Sequence, residues 1–137
     1  AKEIVLLDAA IAARPRVPVE LQAVRVGPAI FLANPGEVFC EFGLELRRRS
    51  PFPFTFPVGL ANGCVGYIPT ESALGEGGGG YETRLTSYSN LEPGAGRALT
   101  EASVELIGQL GAPRVPRPGR APFHGPWIYG SVRPELR

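Results

Sequence analysis

The chain has 137 residues, enough for one domain of ordinary size. Lys and Arg number 14 against 13 Asp and Glu, and a net charge of +1 indicates neither a polyanion binder nor an acidic tail. The hydrophobic share of 44% is that of a globular protein. No apolar stretch approaches the roughly 20 residues of a membrane span.

The first predicted element is Ile4 to Ala13, apolar and alanine-rich, compatible with a strand, a helix end or leftover core of a missing part. Arg14-Pro15-Arg16-Val17-Pro18 breaks it. Val19 to Ala23 alternates apolar and polar, the signal of a half-buried strand. The phase slips at Val24-Arg25-Val26, which predicts a bulge. Gly27-Pro28 turns the chain. Ala29 to Ala33 is continuously apolar, as expected of a strand buried on both faces.

Asn34-Pro35-Gly36 then punctuates, and a helix is predicted with Val38, Phe39, Phe42 and Leu46 on one face. Glu45 and Arg49 make an i,i+4 pair on it, and Arg47-Arg48-Arg49 suits the negative end of the helix dipole. Ser50-Pro51-Phe52-Pro53 stops it. Phe54 to Ala61 reads as the next strand. This is a βαβ unit with parallel strands. The run Gly75 to Gly80 is a flexible loop without the lysine and hydroxyl of a phosphate loop. Glu92-Pro93-Gly94 precedes a second helix with Leu99, Ala102, Leu106 and Leu110 as its buried stripe. Gly111 suits the left-handed position after it. The predicted class is α/β: a small mixed sheet containing the βαβ unit, flanked by two helices. Residues 112–137, dense in Pro and Arg, read as an extended or disordered tail.

Two blocks concentrate the candidate chemistry, Ala33-Asn34-Pro35-Gly36-Glu37 and Gly59 through Thr70. Each follows a predicted strand and ends in a possible metal ligand, Glu37 in one and Tyr67 in the other. Parallel neighbouring strands would bring both to one sheet edge, where open α/β sheets place their sites. On pattern alone each residue also has a plain structural use. Glu37 would compensate the dipole of the helix it precedes, and Tyr67 would cover the sheet edge. Zinc takes mainly His and Cys, three or four per site. His124 is the only histidine and lies in the tail, so a self-contained two-histidine zinc site cannot be built from this chain, and the same scarcity argues against a complete Ser-His-Asp triad. Cys40 and Cys64 form no disulfide framework and are expected to be buried, inert thiols flanking the same edge. Arg47 to Arg49 reads as a solvated helix end, and no nucleic-acid partner is expected.

These residues resemble a family. From about Val19 to Leu110 the sequence is similar to the C-terminal part of the catalytic domain of neutral/alkaline non-lysosomal ceramidases, including bacterial-type relatives. The likeness is carried by Pro35-Gly36-Glu37 and by Gly59-Leu60-Ala61-Asn62-Gly63 leading to Tyr67 and Thr70. Tyr81-Glu82 and the helix at 95–110 support it. The resemblance implies zinc-dependent hydrolysis of an N-acyl amide such as N-acylsphingosine, by metal-activated water. It implies Glu37 and Tyr67 as two of four zinc ligands, with Tyr67 also stabilising charge on the attacked carbonyl, and Asn62 orienting the loop. It implies two histidines of an upstream half as the other two ligands.

With no Met and an opening directly into Ile4-Val5-Leu6-Leu7, the chain is expected to be a fragment. Residues 1–111 would be the C-terminal part of the catalytic domain and 112–137 the tail. Expected partners are a lipid-like or other N-acyl amide substrate and the missing N-terminal part of the same domain. Alone, the chain is expected to bind zinc weakly or not at all and to be inactive. The alternative is a non-catalytic α/β interaction module.

Overall fold

A computed structural model describes residues 2–111 together with Pro113 and Arg114. The expected tail, with His124, otherwise lies outside the described residues. The class is mixed α/β, as the sequence predicts.

The apolar opening segment is a helix, α1 (Lys2–Ala13). Ile4, Val5 and Leu6 on it stand about 70% exposed, while Leu7 is buried. A helix apolar on several sides ordinarily belongs inside a larger body.

Strands β1 (Gln22–Val26) and β2 (Ala29–Ala33) form an antiparallel hairpin closed by Gly27-Pro28. Val26 pairs with Ala29 and Gln22 with Ala33 in unbroken register, so the expected bulge is absent. The strand begins three residues later than the alternation suggests. Both of its faces are apolar at places, and that, not an extra residue, upsets the period.

The chain then makes a two-residue strand β3 (Glu37–Val38), helix α2 (Cys40–Arg49) and strand β4 (Phe54–Val58). β4 lies parallel to β2, giving the order β1-β2-β4 and completing the predicted βαβ unit. β4 ends at Val58 rather than Ala61. Pro57 is tolerated because β4 is an edge strand. The second sheet is β3 with β5 (Tyr67–Ile68), a parallel pair. A short helix α3 (Glu71–Leu74), a 3-10 turn at Tyr81–Thr83 and the long helix α4 (Ala95–Gln109) follow.

The core lies on one side of the three-stranded sheet. Ile30 and Leu32 of β2 meet Leu46 of α2, Phe52 and Ile107 of α4, with Ala23, Val104 and Leu110 around them. Arg25 pins β1 to this layer, stacking over Phe52 at 5.4 Å and donating to the Leu110 carbonyl at 3.0 Å. α2 and α4 are tied by Arg49, whose two terminal nitrogens donate to the Glu101 carboxylate at 2.5 and 2.8 Å. Glu45 is shared. Arg48 takes its oxygen at 2.7 Å, while the predicted partner Arg49 stands at 3.8 Å. Arg47 donates to the Thr55 carbonyl at 3.2 Å, so each arginine of the run has a partner within the fold.

Two expectations about faces are corrected. β2 is buried on one face only, because Phe31 is 40% exposed between buried Ile30 and Leu32. The most buried line of α4 is Gly96, Thr100, Ser103 and Ile107 rather than the leucines. Leu99 is buried beside that line, while Ala102, Leu106 and Leu110 are half-buried. A Cβ on Gly96 would overlap the Phe42 ring, so small residues are what let α2 and α4 approach closely.

Candidate functional site

The two blocks singled out in the sequence are laced together by backbone hydrogen bonds. Asn34 N–H donates to the Val58 carbonyl at 2.8 Å, and Ala61 N–H returns to the Asn34 carbonyl at 2.9 Å. Leu60 N–H reaches the Gly36 carbonyl at 3.1 Å, and Val65 N–H the Pro35 carbonyl at 2.8 Å. The buried Asn34 side chain closes the turn locally by donating to the Leu32 carbonyl at 3.0 Å. Leu60 and Asn62 sit at positive φ, 54° and 63°, in the turn this lacing forces. Asn tolerates that conformation at little cost; Leu does not.

Two glycines permit the closest approach. Glu37 N–H donates to the Gly66 carbonyl at 2.9 Å. A Cβ on Gly36 would lie 2.7 Å from that same carbonyl oxygen and 2.9 Å from Ile68 Cδ1. Gly66 adopts φ 78°, and a Cβ there would lie 2.8 Å from the Ser89 Cα. Only glycine satisfies both demands.

The result is that Glu37 and Tyr67 are directly opposed in the parallel β3–β5 register. The sequence places Glu37 at a helix N-terminus, and this is corrected. Glu37 belongs to β3, Phe39 intervenes as the cap, and α2 starts at Cys40. Val38 is likewise a strand residue and not part of the helix face. Glu37 is exposed and Tyr67 half-buried, so the carboxylate and the phenol share an open edge.

Tyr67 is held on both sides. Ser89, itself buried, accepts from Tyr67 N–H at 3.1 Å and lies 3.4 Å from the Tyr67 carbonyl, to which its hydroxyl donates. The Tyr81 ring meets the Tyr67 ring edge-on, centroids 5.6 Å apart. Desolvation and then the Glu37 carboxylate push the Tyr67 phenol up to about 12. Tyr88 is also raised, chiefly by its neighbour Tyr81, with Glu37 contributing a smaller part. The Tyr67 phenol thus lies beside the Glu37 carboxylate with the Tyr81 ring packed against it. Ser89 and Tyr88 carried no sequence signal, since isolated hydroxyl residues in a loop are ordinarily turn formers.

Thr70 caps α3 by accepting from Ala73 N–H at 3.2 Å, and Glu71 pairs with Arg97 of α4, fixing the chain just beyond Tyr67. Asn62 is exposed. Cys40 and Cys64 are free and exposed, not buried as expected. The Cys40 thiol donates to the Glu41 carboxylate at 3.3 Å, and that bond raises its pKa, which keeps it protonated and poorly nucleophilic. Among the described residues no group of three or more His, Cys, Asp or Glu side chains is placed to hold a metal ion. None of the described helices is long and apolar enough to cross a membrane.

This mixed α/β arrangement is shared with a solved enzyme. The chain is similar in fold to neutral ceramidase from Pseudomonas aeruginosa, with a TM-score of 0.53 and 19% identity, over 72% of this chain and 17% of that one. It therefore spans about a sixth of the length of that protein. No family model matches the chain, and no curated protein matches it.

Proposed function

We propose that the chain forms part of a zinc-dependent amidohydrolase resembling neutral ceramidase, acting on a lipid-like or other N-acyl amide. One observation carries this: Glu37 and Tyr67 stand opposite each other across β3 and β5, at one sheet edge. The ceramidase-like fold supports it.

The donor set fits half of a zinc site. A carboxylate and a phenol on adjacent strands are two oxygen donors. Zinc bound by protein takes three or four donors, nitrogen and sulfur foremost. Glu37 and Tyr67 would hold the ion together with two histidines from polypeptide outside the 137 residues. When bound, zinc would supply Lewis acidity toward an amide carbonyl and a hydroxide source near neutral pH. Glu37 would bring the anionic charge. Tyr67, with its phenol raised to about 12, keeps its proton at neutral pH unless a metal displaces it. Held at the ion through its phenol oxygen, Tyr67 would additionally stabilise charge developing on the attacked carbonyl, which is the catalytic role proposed for it. Ser89 and Tyr81 would act as positioning residues, holding the Tyr67 backbone and ring.

Isothermal titration of the 137-residue chain with zinc tests this reading. Two donors alone give weak binding, weaker than micromolar, further reduced in Glu37→Ala and in Tyr67→Phe. Tight binding to the isolated chain, or binding indifferent to both substitutions, would contradict it. The bare apolar sheet face favours a second reading, a non-catalytic interaction module. That one predicts a protein that folds stably alone and in which Glu37→Ala changes neither zinc affinity nor partner binding.

A further inference from the structure

We infer that Asn62 is a self-modifying site, at which the backbone nitrogen of Gly63 attacks the asparagine side-chain amide, with water consumed and ammonia released. The chain holds three asparagines, and the fold sets one of them apart. Asn34 is buried and donates to the Leu32 carbonyl at 3.0 Å, and Pro35 after it has no N–H to give up. Asn90 donates to the Thr86 and Ser87 carbonyls, both at 3.3 Å, and is followed by the branched Leu91. Asn62 is exposed, and among the described residues its side-chain amide has no hydrogen-bond partner. Gly63 follows it, and a Cβ built there would meet nothing closer than Pro35 Cβ at 3.7 Å. The Gly63 N–H likewise finds no backbone acceptor among the described residues. Asn62 stands at φ 63° and Gly63 at φ 151°, and glycine's freedom lets the peptide between them rotate toward the side chain.

The conversion needs only water. The Gly63 amide gives its proton to hydroxide, and its nitrogen bonds to Asn62 Cγ as the Cγ–Nδ2 bond breaks. Ammonia leaves with a proton from solvent, and a succinimide ring remains. Water then opens the ring at either carbonyl. Opening at Cγ yields aspartate. Opening at the main-chain carbonyl yields isoaspartate, whose backbone runs through Cβ. The two products act differently on the fold. Ala61 N–H is tied to the Asn34 carbonyl and Val65 N–H to the Pro35 carbonyl, so residues 62–64 bridge two fixed points. Aspartate keeps that length and tolerates the left-handed conformation. Isoaspartate inserts an extra backbone carbon between the anchors, which opens the Val65 bond and, beyond it, the bond from Glu37 N–H to the Gly66 carbonyl. No metal or substrate takes part, so the modification is independent of the hydrolase reading.

Ageing the full chain in mildly alkaline buffer tests the site, with peptide mapping by mass spectrometry and the same chain in urea as the reference. The expected result is acid formation at Asn62 in the folded chain, at a rate close to that in urea and rising with pH. Asn34 and Asn90 stay intact there, and Asn62→Gln is inert. Ion exchange isolates the converted chain, since conversion lowers the net charge of +1 by one. In it, the share of Glu37 amide that has lost protection from hydrogen exchange should match the isoaspartate share from peptide mapping. Asn62→Asp should keep that protection in full. An Asn62 that persists in the folded chain after conversion is complete in urea overturns the site, as does faster conversion at Asn34 or Asn90. Protection at Glu37 that survives in isoaspartate overturns the coupling to the turn. Equal loss in Asn62→Asp overturns it too, because the added charge alone would then account for the effect.

Discussion

At the scale of single residues, the opposition of Glu37 and Tyr67 depends on what glycine lacks. Gly36→Ala places a methyl 2.7 Å from the Gly66 carbonyl oxygen, in a position that backbone shifts must relieve. Overpacking of this kind costs typically about 1–3 kcal/mol. The expected outcome is a lower urea midpoint together with loss of the Glu37 amide's protection from hydrogen exchange, because its bond to Gly66 opens. The phenol gives a second handle. Tyr67 in the fold titrates near 12 rather than 10, so the folded chain holds a proton that the unfolded chain has released. Stability from this source is complete below pH 10 and falls as the pH climbs from 10 toward 12. Glu37→Gln removes the negative neighbour and lowers the Tyr67 midpoint, read from the ring carbon resonances of labelled tyrosine. A midpoint unmoved by Glu37→Gln would show that the carboxylate does not face the phenol.

Among the elements, α2 and α4 are joined by small residues and by one bidentate ion pair. The Arg49 guanidinium holds Glu101 below the usual carboxylate range, and Arg48 does the same for Glu45. A depressed folded pKa means that stability from these pairs is present above pH 4.5 and is lost as the pH falls below it. Thermal melts of the chain and of Arg49→Met should therefore differ near neutrality and converge in acid; curves parallel at every pH would assign Arg49 a packing role instead. The helix pair also shows what the sequence could tell. Its existence and the βαβ order were legible, since apolar runs, Pro-Gly breaks and helical spacing are local signals. Which side of α4 packs deepest was not. Leucines at 99, 106 and 110 dominate a hydropathy reading, yet α2 seats the Phe42 ring on Gly96, a contact set by closeness and not by apolarity. β3 was invisible for a simpler reason. Two residues have no period, so a sequence reading assigns Glu37 to the start of the helix that follows. The lacing of residues 34–37 to 58–66 is backbone chemistry and leaves no mark on residue type except at the glycines.

For the whole molecule, the decisive fact is that the core lies on one side of the sheet. A run of five apolar residues in β2 suggested burial on both faces, and the run is what a strand in a three-layer fold would carry. The described chain supplies two of those layers. Neighbouring residues of one strand should then respond oppositely to truncation. Leu32 is 1% exposed among Ile30, Leu46 and Ile107. Leu32→Ala removes a fully enclosed side chain, at a cost of about 2–5 kcal/mol. A small domain holds only about 5–15 kcal/mol in all, so this variant is expected to lose a large share of the fold's stability. Phe31, one residue earlier, faces solvent and stacks on Phe56. Phe31→Ala forfeits that pair, worth about 0.5–1.5 kcal/mol, together with a fraction of its burial. Denaturant midpoints of the two variants should be well separated, with Phe31→Ala the more stable and the less prone to self-association. Equal losses would mean that the sheet's second face is already covered in the isolated chain, and the three-layer argument would fall with it.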